Sequence, residues 1–131
     1  MHQTHPAFTE VVDTCESIQQ FFSGADTGAA ACAKLLAHFS SDFSMISPGG
    51  QQLDYPALAG FFRQAAGSKP GLRIDVTDIV LLHENELAVV LVYKEAQAFS
   101  DGSANLRFAT ALFDKTMDGR LLWRHLHETM Q

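Results

Sequence analysis

An α+β fold is predicted by three features of the sequence: helical periodicity is confined to the first half, strand-like runs fill the second, and the connections between those runs are short. Phe8, Val12, Cys15, Ile18 and Phe22 recur at helical spacing and are followed by Gly24. A second helical pattern runs from Ala29 to Phe39 through Cys32, Leu35 and Leu36, with Asp26 or Thr27 as its N-cap. Phe43, Met45 and Ser47 alternate along a short strand, 42–47. Pro48-Gly49-Gly50 then turns the chain so that residues 51–53 can pair back. Asp54 before Tyr55-Pro56 starts a third helix with Leu58, Phe61, Phe62 and Ala65 on its apolar face, and residues 67–71 end it. From residue 72 onward, four extended runs, near 72–82, 86–99, 104–116 and 120–129, are rich in Val, Ile, Leu and Phe. Their short connections make consecutive runs antiparallel neighbours, so the helices cover one face of a curved, mostly antiparallel sheet.

Composition narrows the function. The chain has 131 residues, long enough for one core and too short for two, so residues 1–131 read as a single domain. Nine Lys and Arg oppose 15 Asp and Glu for a net charge of −6. Without a basic cluster, nucleic acid is not the expected partner. The longest apolar run, Leu87 to Tyr93, is too short to span a membrane, and the first six residues lack the basic and apolar blocks of a leader. Cys15 and Cys32 read as free thiols, which suits a cytoplasmic protein.

Turn lengths give an expected strand register. A two- or four-residue loop centred on Asp101-Gly102 sets Lys94 opposite Ala109 and Ala96 opposite Arg107. A three-residue loop, Met117-Asp118-Gly119, sets Phe113 opposite Trp123, Ala111 opposite His125 and Ala109 opposite His127. Together these put Lys94, Arg107, Trp123, His125 and His127 on one face, and Tyr93, Glu95 and Gln97 on the other.

Thr110-Ala111-Leu112-Phe113, the Asp118-Gly119 turn and His125-Leu126-His127-Glu128-Thr129 resemble the closing pattern of the SnoaL-like group in the nuclear transport factor 2-like superfamily. The group includes the association domain of calcium/calmodulin-dependent protein kinase type II. The element order fits from Phe8 to the end. The resemblance implies a cone-shaped, cystatin-like roll with its cavity facing the helices and its outer sheet face forming a homodimer. It also implies that the face of Lys94, Arg107 and His125 lines the pocket, with Lys94 where the association domain carries an arginine.

The expected ligand site is then Lys94, Arg107, His125, His127, Trp123 and Tyr55, and the expected partner is a small organic molecule, with carboxylates the leading class. Two buried cations without partners would cost several kcal/mol, so a counter-anion is expected beside them, with Asp42 and Glu128 as candidates. An alternative is an isomerase, cyclase or dehydratase in which His125 or Asp42 moves a proton. A third reading is an assembly domain with a vestigial cavity. No metal or other cofactor is expected: His125 and His127 share a face but no third ligand converges on them.

Overall fold

The structure is a computed structural model and describes residues 5–131. Residues 1–4, part of the stretch read above for a leader, lie outside the described residues. Three helices, α1 (Pro6–Ser23), α2 (Ala29–Leu36) and α3 (Tyr55–Ala65), pack on a six-stranded sheet of β1 (Phe39–Ile46), β2 (Gln52–Asp54), β3 (Arg73–Glu84), β4 (Ala88–Ala98), β5 (Ala104–Lys115) and β6 (Leu121–Met130). The strand order is β2-β1-β6-β5-β4-β3. Every pairing is antiparallel except β1 with β6, which is parallel. This is the α+β layout that the order of patterns predicts, bent into the roll that the resemblance implies.

Local chemistry explains the helix ends. The α1 N-terminus is capped by His5, whose Nδ1 accepts from the Ala7 amide at 3.0 Å, with Pro6 in the first turn where its missing N–H costs nothing. Gly24, at φ 93°, closes it in the left-handed region. The buried stripe of α1 is Ala7, Val11, Thr14, Cys15 and Phe22, so Val12 faces outward, 45% exposed. The second helix departs from expectation at both ends. Gly28 takes the N-cap position with no side-chain bond, and the chain is already extended at Phe39, where the helical pattern was expected to continue. The third helix starts as expected, with Asp54 accepting from the Ala57 amide at 3.0 Å.

The core joins Val11, Phe21 and Phe22 from α1, Leu35 from α2, Leu58 and Phe62 from α3, and Val89, Leu91, Tyr93, Ala109, Ala111, Phe113 and Trp123 from the sheet. Trp123 is its largest fully buried side chain, and Nε1 donates to Thr14 Oγ1 at 3.1 Å and to Glu10 Oε2 at 3.2 Å. These bonds seat the indole against α1 and fix the distance between helix and sheet. Gly71 marks the tightest backbone approach: at φ 77°, a Cβ there would lie 2.8 Å from Ser100 Cβ.

The strand register differs from expectation in two places, and both differences reassign faces. The β4–β5 loop has three residues, Ser100-Asp101-Gly102, with Gly102 at φ 88° and the Phe99 amide bonded to the Ser103 carbonyl. Asp101 Oδ1 accepts from the amide and hydroxyl of Ser103, which favours the odd loop over an even one. Lys94 therefore pairs with Phe108, and Glu95 with Arg107. The β5–β6 loop is the expected three-residue turn, and Phe113 pairs with Trp123 as predicted. Beyond Trp123 the register shifts by one, so that Arg124 is the extra residue of a bulge and His125 pairs with Leu112. The bulge coincides with an irregular stretch of β1, where Arg124 Nη1 donates to the Asp42 carbonyl at 2.7 Å. It turns His125 and His127 outward and Leu126 and Glu128 inward.

Candidate functional site

A cavity of about 280 Å³ lies between the helices and the inner face of the sheet. Its size is near the lower end for small-molecule pockets, roughly 300 Å³. Ile18, Phe22, Phe39, Phe43, Met45, Leu58, Phe61, Phe62, Trp123 and Leu126 form an apolar wall. Exposed Gln51 and Phe61, with Ser47 and Pro48, form a rim. The opposite end is polar and is built from alternate positions of three adjacent strands: Glu95 and Gln97 of β4, Arg107 of β5, and Glu128 of β6.

One hydrogen-bonded chain links this floor. Cys15 Sγ, from α1, donates to Glu95 Oε1 at 3.7 Å, and Gln97 Nε2 donates to Glu95 Oε2 at 2.6 Å. Arg107 Nη2 donates to Gln97 Oε1 at 3.1 Å, Nη1 to Glu128 Oε1 at 3.2 Å, and Nε to Asn105 Oδ1 at 3.3 Å. Glu95, Gln97 and Glu128 are all buried. Burial, reinforced by the charge of Glu95, pushes the Glu128 carboxyl up to about 7 against the opposing pull of Arg107. Burial also raises the Cys15 thiol and the Tyr93 hydroxyl well above their usual values, so both are neutral near pH 7. Lys69, from the loop after α3, lines the cavity with Nζ 5.5 Å from the Phe22 ring centroid and 5.6 Å from that of Phe99. Burial, followed by repulsion from Arg107, lowers its pKa.

The residues expected to form one site are divided between the two faces. Arg107 and Trp123 line the cavity. The expected counter-anion for Arg107 is present as Glu128, whereas Asp42 is exposed and offers only its backbone carbonyl to Arg124. Lys94 lies on the outer face, where it pairs with Asp78 at 3.1 Å and stands 5.8 Å from the Phe108 ring. His125 also turns outward and shares a 2.6 Å hydrogen bond with Ser44 Oγ. Burial and the charges of His127 and Arg124 lower its pKa. His127 is exposed on an open outer groove with Lys94 and Phe108. Tyr55 packs against the edge of the core at the start of α3, outside the cavity lining. The pairing of His125 with Asp42 that proton transfer required is not formed. Among the described residues, no three His, Cys, Asp or Glu side chains converge to hold a metal ion.

Glu95, Gln97 and Lys69 line the cavity without having been expected there, and Glu128 was expected only as a counter-anion. One signal was available in β4, where Val89, Leu91 and Tyr93 are followed on the same face by Glu95 and Gln97. A face that turns from apolar to polar along one strand marks where a core gives way to a lined space.

Comparison with solved structures finds close matches over nearly the whole chain. An NTF2-like protein of unknown function from Pseudomonas aeruginosa is 35% identical with TM-score 0.92, covering 97% of this chain and 99% of that one. A candidate calcium/calmodulin-dependent protein kinase type II association domain from Thiobacillus denitrificans is 14% identical with TM-score 0.74, covering 99% of each chain. A candidate dehydratase of the NTF2-like family from Streptomyces avermitilis is 14% identical with TM-score 0.72, covering 94% of each. The latter two are similar in fold alone. No protein-family model matches the chain, and no curated protein does.

Proposed function

The chain belongs to the nuclear transport factor 2-like family, and from that premise we propose that it is a small-molecule-binding domain whose ligand enters past Phe61 and rests its polar end on the Arg107–Glu128 floor. The observation that carries this reading is the cavity itself: an apolar wall around about 280 Å³ that ends in buried, ionisable groups. A core serving stability alone gains nothing from two carboxylates and a guanidinium in its interior. The carboxylate-binding expectation rested on a cluster of four basic or imidazole side chains, of which only Arg107 lines the cavity, already paired with Glu128. The remaining support for an anionic group is Lys69, which has no ion-pair partner among the described residues.

The reading extends to one SnoaL-like domain over residues 1–131, a cytoplasmic location and a homodimer formed through the outer sheet face. That face exposes Val80 and Phe108 around the open groove. No described helix is long and apolar enough to cross a membrane. Proton-transfer chemistry has a geometric basis only at Glu128, the acid that titrates near neutrality inside the cavity.

The single tryptophan, Trp123, lines the cavity, so its fluorescence reports occupancy. Titration with small aromatic alcohols and amines is expected to change the emission saturably, and a cavity-filling Met45→Phe variant to suppress the change. Emission that ignores every probe, or responds equally in the filled variant, would remove the proposal.

A further inference from the structure

The floor of the cavity lacks one positive charge, and that deficit gives the chemical class of the ligand; the argument rests on the cavity being a ligand site. Glu95 and Glu128 face a single guanidinium, Arg107, whose three nitrogens are engaged by Asn105, Gln97 and Glu128. Both oxygens of Glu95 are occupied, by Cys15 and Gln97. Glu128 is satisfied on one side only: Oε1 accepts from Arg107, and Oε2 has no partner among the described residues. Glu128 is 4% exposed and lines the cavity. Among the described residues no sealed side-chain oxygen lacks a partner, so Oε2 opens on the cavity space.

Lys69 does not make up the deficit. Its ammonium is held over the Phe22 and Phe99 rings and forms no ion pair with either carboxylate. Two buried carboxylates that share one cation retain a proton, in keeping with the value of about 7 for Glu128, where burial and the charge of Glu95 outweigh Arg107. That proton sits where a ligand cation would. The aromatic wall beside it offers ring faces that also favour cations.

We infer that the cavity selects small amines, seating the protonated nitrogen against Oε2 of Glu128 and the apolar body among Phe43, Phe62 and Trp123. No bond within the ligand forms or breaks: the ammonium enters with its charge, and the carboxyl O–H bond of Glu128 breaks as its proton passes to water or buffer. The charged or titratable groups facing Glu128 are Glu95 and Tyr93 from β4, Arg107 from β5, Cys15 from α1 and Lys69 from the loop after α3. Cys15 and Tyr93 stay neutral near pH 7, which leaves the proton release to Glu128.

Three probes with one aromatic body test this: 2-phenylethylamine, 2-phenylethanol and 3-phenylpropionate, titrated calorimetrically into the full chain in two buffers of different ionisation enthalpy. The amine is expected to bind tightest. Its affinity should rise roughly tenfold from about pH 6 to about pH 8, as the Glu128 proton stops competing, with proton release approaching one per amine at the lower pH. Glu128→Gln is expected to weaken amine binding about tenfold or more, abolish its pH dependence and leave 2-phenylethanol binding in place. If that variant does not fold, the wild-type pH series decides alone. Propionate or alcohol binding as tightly as the amine, or amine affinity flat with pH, overturns the inference and leaves the cavity reading standing. Binding of none of the three overturns both.

Discussion

At the scale of single residues, Glu128 sets the chemistry of the interior. Its pKa is raised from 4.5 to about 7, so between those values the folded chain holds a proton that the unfolded chain releases. Stability therefore falls as pH rises through that window, by on the order of 3 kcal/mol in total. Glu128→Gln keeps an acceptor for Arg107 and removes the titration, so its denaturation midpoint is expected to vary less with pH than that of the native chain. His38 acts higher on the pH scale. Its hydrogen bond to Glu10 at 2.6 Å raises its pKa above 6.5, so the stability it adds is present below that value and is lost as pH rises through the folded pKa. His38→Gln should remove that second decline when urea denaturation is followed upward from about pH 6. Arg107→Ala strands the Glu128 carboxylate and the Gln97 carbonyl oxygen, and is expected to cost about 3 kcal/mol in the same assay.

At the scale of elements, two single-residue features decide which side chains enter the cavity. The third residue of the Ser100-Asp101-Gly102 loop sets Glu95 beside Arg107, and the Arg124 bulge turns Glu128 inward. Deleting Arg124 removes the extra residue and should leave His125 opposite Leu112 and Glu128 opposite Ala109, so that Glu128 still faces the cavity and the native near-ultraviolet circular dichroism is retained. Arg124→Ala keeps the backbone count, loses only the bond to the Asp42 carbonyl and should cost about 1 kcal/mol. These features also mark how far the sequence could be read. Periodicity and capping residues locate the helices and strands because each signal is local: Asp54 caps α3, and Gly119 closes the last turn as expected. Face assignment is not local. A period of two converts one uncounted residue into a complete inversion, which is why Lys94, His125 and His127 exchange places with Glu95 and Glu128. Arg107 and Trp123 share one face as expected, because the β5–β6 turn has the expected length and Trp123 precedes the bulge.

At the scale of the whole molecule, a chain of net charge −6 encloses a cavity whose own floor carries a surplus carboxylate. The expectation of an anion-seeking interior within an acidic surface gives way to an interior whose floor sets two carboxylates against one guanidinium, with Lys69 held apart over aromatic rings. The outer face, with Lys94, Phe108, His127 and exposed Val80, is the surface proposed for a second copy. Phe108→Glu should shift a dimer toward monomer in sedimentation velocity while leaving the titration of Trp123 emission unchanged, because Phe108 points away from the cavity.

The most direct measurement is the carboxyl titration of Glu128 by carbon-detected nuclear magnetic resonance on glutamate-labelled protein, assigned with Glu128→Gln. A midpoint near 7 that falls when 2-phenylethylamine is bound is the result expected of a buried acid opening on the cavity and waiting for a cation. A midpoint near the ordinary 4.5, unmoved by the amine, would contradict the account.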